Sequence, residues 1–317
     1  MPQAVAISIG AGLLSALFTL SLLTGSVAAF IFAYLAPLPI FAVGFALGMP
    51  ASLIATGSGA LAIALMADFL PAITFIASTG APCCLIVRQA LLNRTSAEGS
   101  IEWYPPGHIL MWMAGYIVVL LAVIGFVANA FLQDAYAQMV VAIERAAEAE
   151  AGTVFGPYFE AMTDADVRNS ILRWVPGVMA ASWIFLMVIN AVLAQGALSG
   201  MGKARRPNPA MSDIELPISA SVVLIGSLAV GSTVGSLLGA AALTVALAAL
   251  AIFTLSGLGI LHAILANRQA RTPALVGIYI FLAIFFWPIF FVAGLAILEP
   301  WMGLKQRLAA NPPNQGS

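Results

Sequence analysis

Charged side chains are scarce in this chain. Its 317 residues include 12 Lys/Arg and 13 Asp/Glu, or 8% charged, with 62% hydrophobic residues and a mean hydropathy of +1.04. A soluble domain carries about 25% charged residues. A soluble fold of this length has too little interior to hide so much apolar surface, so lipid is the solvent that suits the composition. The formal net charge of −1 and the lack of any strongly basic stretch exclude a nucleic-acid partner. Cysteine is also scarce. Cys83 and Cys84 are the only two. They are adjacent, lie in an apolar run and form neither a disulfide framework nor a metal pattern, so they are read as small membrane-helix residues.

Catalytic signatures are missing too. The chain has no Walker loop, no HExxH and no GxSxG, and two histidines leave little for acid–base work. The expectation is a protein that is not an enzyme and has no cofactor and no metal. There is no ATPase signature for a self-powered pump, no array of intramembrane acids and no internal repeat of the secondary-transporter kind. Residues 4–23 are apolar and small residues follow at Ser26–Ala29, but no Lys or Arg precedes the run. The segment therefore reads as a retained first membrane helix, not a secretory signal.

What is present is a series of long apolar segments. A membrane helix needs about 20 apolar residues. Spans are expected near 4–24, 26–48, 51–67, 69–91, 108–132, 174–197, 216–235, 237–266 and 273–298. Nearly all charges fall outside them, as expected where a central charge costs roughly 2.5–3.5 kcal/mol to insert. Pro37 and Pro39 predict one broken helix or two short ones in 26–48. A break is expected near Gly231–Gly235, and kinks at Pro176 and Pro288. The fold class is all-α: a polytopic transmembrane helical bundle of 8–9 spans with one small extracytoplasmic helical hairpin. It divides into an N-terminal block (1–92), a cytoplasmic loop (93–107), two spans bracketing the hairpin (108–197), a basic cytoplasmic loop (198–215), a C-terminal block of about three spans (216–304) and a disordered tail (305–317).

Orientation follows Lys and Arg. Arg88, Arg94, Lys203, Arg205, Arg206, Arg268 and Arg271 mark cytoplasmic loops, and the N-terminus falls on the same side. A single span at 273–298 cannot keep both Arg268/Arg271 and Lys305/Arg307 inside. Either that segment is re-entrant at Pro288 or one basic pair is outside. The acidic segment 133–173 is placed outside. In it Tyr136, Met139, Val140, Ile143 and Ala147 share one helical face, Gly152 and Gly156-Pro157 interrupt, and Thr163-Asp164 starts a further helix running into the next span. The hairpin reads as a solvated extension of two membrane helices, with a lid over a substrate site as the alternative.

Candidate binding residues are the polar groups in or beside spans: Asn190, deep in 174–197, His262 near a span end, and Asp68 before Pro71. Each has a plainer reading. Asn190 and His262 can be satisfied by a neighbouring helix or carbonyl, and Asp68 suits a turn or cap. Small residues recur four apart at Ala6/Gly10, Gly12/Ala16, Gly44/Gly48, Gly231/Gly235 and Gly235/Gly239. This spacing lets helices approach closely. It serves internal packing or a docking face for another membrane subunit.

Three stretches resemble the YybS-like family of uncharacterised bacterial membrane proteins, a domain of unknown function. They are Pro37-Leu-Pro-Ile-Phe-Ala-Val-Gly-Phe-Ala-Leu-Gly48, the stretch from Pro176 through Asn190-Ala-Val-Leu-Ala194 to Ile214-Glu-Leu-Pro217, and Gly257-Leu-Gly-Ile-Leu-His262 with the proline-split last span. That family is distantly similar to the S-components of energy-coupling-factor transporters and to MreD-like proteins. The resemblance implies a small-molecule-binding bundle in the bacterial inner membrane. It would dock on a coupling subunit through small residues of the first helix, where Ala6, Gly10, Gly12 and Ala16 lie. The expected function is a small-solute-binding or transport-related subunit. The alternative is a non-catalytic scaffold for envelope or division processes. The expected partners are the lipid bilayer, another membrane subunit and a small-molecule ligand.

Overall fold

The structure, a computed structural model, describes residues 2–97, 99–127, 129–266, 268–285 and 287–303. Lys305, Arg307 and the expected tail 305–317 lie outside the described residues. Helices dominate, and among the described residues seven helical segments are long and apolar enough to cross a membrane. They are Pro2–Thr24, Val27–Leu47, Met49–Met66, Phe69–Leu91, Pro106–Val127, Ala165–Gly200 and Leu237–Leu265. The chain is thus an all-α, multi-pass membrane protein.

The helices are α1 (Pro2–Leu20), α2 (Val27–Tyr34), α3 (Pro37–Leu47), α4 (Met49–Met66), α5 (Phe69–Phe75), α6 (Ala81–Leu91), α7 (Pro106–Val127), α8 (Asn129–Ala149), α9 (Gly156–Thr163), α10 (Ala165–Leu172), α11 (Val175–Gly200), α12 (Ile218–Thr233), α13 (Leu237–Leu265), α14 (Arg271–Ile284) and α15 (Pro288–Met302). A π-helical turn, Ile76–Gly80, joins α5 to α6. One element was not expected. Strands β1 (Asn93–Thr95) and β2 (Ile101–Trp103) pair antiparallel in the loop after α6. Arg94 and Glu102 face each other there at 2.7 Å, an exposed pair of little energetic weight.

Prolines set several helix boundaries. Pro37 opens α3 and Pro288 opens α15, at first-turn positions where the missing N–H leaves no helical bond unmade. The 26–48 segment is accordingly two short helices. The expected 273–298 span is α14 and α15, parted by an extended Phe285. Pro176 falls in the first turn of α11 and not within a helix continuing from Thr163, because α10 stops at Leu172. The 216–235 segment forms a helix of 16 residues. At 1.5 Å per residue this is about 24 Å, short of the roughly 30 Å hydrocarbon core.

The chain divides into two compact units. The larger takes residues up to Met113, Trp183–Ile218 and from Ala251 onward. In it α1 crosses α4 at glycine. A Cβ on Gly12 would run into the Ala55 carbonyl and Ser58 Oγ, and one on Gly59 would come within 2.8 Å of the Gly12 carbonyl. Gly44 meets Val87 of α6 as closely, and Phe41 stacks on Phe45 at 5.6 Å. Gly48, with φ of +100°, turns the chain from α3 into α4. The smaller unit takes Ala114–Ser182 and Ser219–Leu250. Its α8 and α9 form a helical hairpin: α9 opens at the Gly156-Pro157 pair expected to interrupt, and the helix expected from Thr163 is α10. Met139, Val140, Ile143 and Ala147 are the hairpin's half-buried face; the side chain of Tyr136 lies outside the described residues. Asp164 caps α10 through Oδ1, which accepts from the N–H groups of Asp166 and Val167. Arg173 donates to the carbonyls of Gly231 and Val234, which α12 leaves open at its end.

Two outcomes are expected. Gly12→Val costs about 1–3 kcal/mol by overpacking, whereas Gly10→Val is near neutral because nothing lies within 4 Å of that site. Equal unfolding midpoints for the two variants in mild detergent would refute the α1–α4 crossing. Cysteines introduced at Ser96 and Ala204 are labelled by an impermeant thiol reagent from one side of the membrane, and one at Thr153 from the other. Labelling of all three from one side would overturn the orientation read from Lys and Arg.

Candidate functional site

Backbone carbonyls that lose their helical partner inside a bilayer must find another donor in the protein, since no water is there to supply one. The α2–α3 junction creates such a carbonyl. Pro39 has no N–H for the carbonyl of Leu35. Leu35 accepts from the N–H of Leu38 instead, at 3.0 Å. That diversion takes Leu38 away from Tyr34. The Tyr34 carbonyl is met by Asn190 Nδ2 of α11 at 2.8 Å. The same Nδ2 donates to Leu186, one turn earlier in its own helix, at 2.9 Å. Asn190 is 2% exposed, and its Oδ1 is buried with no partner.

Two further side chains close on this junction. Ser15 Oγ of α1 donates to the Ala36 carbonyl at 2.6 Å, and Cys83 Sγ of α6 approaches the Pro37 carbonyl at 3.9 Å. Ser15 and Cys83 are fully buried. The junction thus gathers donors from α1, α6 and α11 around backbone oxygens of one broken helix. Apolar Ile40, Phe41, Ile184 and Met187 are buried nearby in sequence on α3 and α11.

The π turn repeats the logic. Pro82 cannot donate to the carbonyl of Ser78, four residues back. Trp183 Nε1 of α11 donates to it instead, at 2.8 Å. Thr56 of α4 lies against Gly80 and within 3.4 Å of Cys84 Sγ. Trp183 and Asn190 are seven residues apart, two helical turns, so one face of α11 serves both breaks. The buried residues Ile184, Met187, Ala194 and Leu198 continue that face.

A separate polar cluster lies on the Lys/Arg-rich loops. Arg205 Nε donates to the Ala46 carbonyl near the end of α3, and Arg206 Nη1 to the Ala90 carbonyl near the end of α6, at 3.2 and 3.0 Å. Cations suit helix C-termini, where carbonyls are open and the dipole is negative. The Arg206 guanidinium also sits 5.7 Å from the centre of the Trp103 ring. Burial pushes the Arg206 pKa down from its ordinary value, and the charge of Asp213 pulls it back up. Beyond Arg206 the chain runs against glycines. The Met211 carbonyl abuts Gly259, the Glu215 carbonyl abuts Gly107, and Ser256 Oγ donates to Ile214 at 3.1 Å.

The other candidates occupy different settings. His262 Nδ1–H donates to the Leu258 carbonyl at 2.9 Å, and its ring meets Tyr279 edge-on at 6.0 Å. Asp68 is exposed and caps α5, accepting from the N–H of Phe69 at 2.6 Å. Of the small residues on α1, Gly12 and Ala16 are buried and Ala6 and Gly10 are exposed. Nothing in the sequence marks Ser15 or Trp183 as a site residue. Among the described residues no three His, Cys, Asp or Glu side chains converge on a metal position. In the hairpin, a cavity of about 610 Å³ is lined by Glu144, Glu148 and Glu160 with Gly152, Gly156 and Thr163.

The two breaks make a coupled prediction. Trp183→Phe strands the Ser78 carbonyl and costs about 1–2 kcal/mol. In a Pro82→Ala background the backbone N–H restored at position 82 can serve that carbonyl, so the same substitution costs well under half as much. A double-mutant cycle in reversible detergent unfolding measures the difference. Additive effects would sink the assignment.

Comparison with curated proteins and with solved structures returned no match. A family model does match, over residues 12–298, and so covers most of the chain, including the α2–α3 junction, the π turn and all of α11. On that match the chain belongs to the family described as "Predicted membrane protein (DUF2232)".

Proposed function

We propose that this protein is a small-solute-binding, transport-related membrane subunit whose site lies at the α2–α3 junction. One observation carries the reading: a helix broken within the bundle, with a buried amide oxygen, Asn190 Oδ1, still open to a donor. Discontinuous membrane helices with carbonyls turned to a common point are how many transporters make binding sites. Polar groups within spans mark pathways more often than packing needs alone explain. The likeness to S-components points the same way, and the exposed Ala6/Gly10 face of α1 offers a place for a coupling subunit to dock. The absence of catalytic signatures in the sequence favours binding over chemistry, so the proposed role is non-enzymatic.

The exposed Ala6 and Gly10 also suit the second reading, a membrane scaffold for envelope or division processes. Native-membrane crosslinking from a cysteine at Ala6 separates the two. A coupling subunit with ATPases supports transport, and cell-wall or division proteins support a scaffold. The direct test is thermal unfolding of the purified chain across a panel of metabolites and vitamins. At least one compound raises the midpoint, since a ligand held only by the native state stabilises it. A panel without a single shift would count against solute binding.

A further inference from the structure

We infer that the α2–α3 junction binds a monovalent cation, with Asn190 Oδ1 and the carbonyl oxygen of Tyr34 as its first ligands. This rests on the solute-binding reading and names an ion as one solute of that site. The argument begins with what the junction presents. Asn190 holds its amide nitrogen 2.8 Å from the Tyr34 carbonyl, and Oδ1 is carried on the same amide carbon. Oδ1 is buried and accepts nothing, in a side chain that is 2% exposed. Buried acceptors are nearly always satisfied, and an orphan calls for a water or an ion.

The surroundings favour an ion over a donor-bearing organic group. Tyr34 is the last residue of α2, so its carbonyl lies at the C-terminal end of that helix. Carbonyl oxygens have two lone pairs, and accepting from Asn190 leaves Tyr34 one to offer. Ser15 Oγ gives its proton to the Ala36 carbonyl and keeps its own lone pairs. Among the described residues, the polar groups brought to this point from α1, α2, α3 and α11 are therefore neutral oxygens or are already donating. Hard, neutral oxygen ligands suit an alkali cation. No carboxylate is among them to balance a divalent ion, whose uncompensated charge in a bilayer would be prohibitive. Unwound carbonyls and half-helix C-terminal ends are also the groups that hold sodium in broken-helix carriers.

The test uses the purified full chain in nanodiscs. Unfolding is followed while Na⁺, K⁺ or Li⁺ replaces N-methylglucammonium at constant chloride and ionic strength. One of the three cations raises the midpoint along a saturable curve. Asn190→Ala weakens the apparent affinity by at least about 10-fold, as loss of a ligand to an ion should. If Asn190→Ala does not fold, the wild-type titration decides. No saturable shift with any cation would mean that Oδ1 holds a water, and would overturn the inference. So would a shift that Asn190→Ala leaves unaltered. A metabolite shift without a cation shift overturns the ion and leaves solute binding standing. A cation shift with a silent metabolite panel supports the ion and counts against an organic solute.

Discussion

The bundle depends on two backbone carbonyls that proline leaves without a helical donor. Tyr34 and Ser78 belong to different broken helices, and both are answered from one face of α11, by Asn190 and Trp183. In hydrocarbon an unpaired carbonyl is costly, because nothing outside the protein can serve it. Two donors seven residues apart fix both the rotation of α11 and its depth. A slip of one residue would turn the pair about 100° away and strand both carbonyls at once. The prolines and the helix that compensates for them are therefore one structural unit, though they lie far apart in the chain.

Around that unit the packing relies on close approach. Lipid tails are as apolar as leucine, so helices gain little by leaving them for each other, and association comes from contact and hydrogen bonds. Gly12 and Gly59 bring two backbones together, and Gly44 makes room for the Val87 side chain, where an added side chain would collide. Ser8, Ser15 and Ser52 are buried in the same region at almost no cost in volume, and each satisfies itself on a carbonyl. At the Lys/Arg-rich loops the problem is the opposite one, open carbonyls at helix ends, and Arg205 and Arg206 answer it with charge.

These solutions bear on function. The polar groups gathered at the α2–α3 junction carry no formal charge, which suits the proposed binding of a solute or ion. The junction's acceptors outnumber its donors, since every donor there is spent on a carbonyl while Asn190 Oδ1 remains open. That imbalance separates the junction from His262, whose ring nitrogen and edge are both engaged, and from Asp68, which closes a turn at the surface. Membership of a membrane-protein family agrees with the series of long apolar helices.

The sequence by itself determined the membrane class, most span positions, the proline breaks and the hairpin with its half-buried face. Each of these is local: apolar length, a missing N–H or a three-to-four-residue period can be read in a short window. It also put Asn190 forward, because a polar residue deep in an apolar run stands out on its own. Only the tertiary structure decided what Asn190 is for. Its partner is 156 residues away, and that of Trp183 is 105 away. Trp183 and Ser15 gave no signal, since tryptophan and serine are ordinary in membrane helices until a stranded carbonyl lies opposite. The structure likewise decided that α1 turns Gly12 and Ala16 inward and Ala6 and Gly10 outward. A helix that is apolar on every side has no periodicity to say which face meets protein and which meets lipid, so that choice belongs to packing alone.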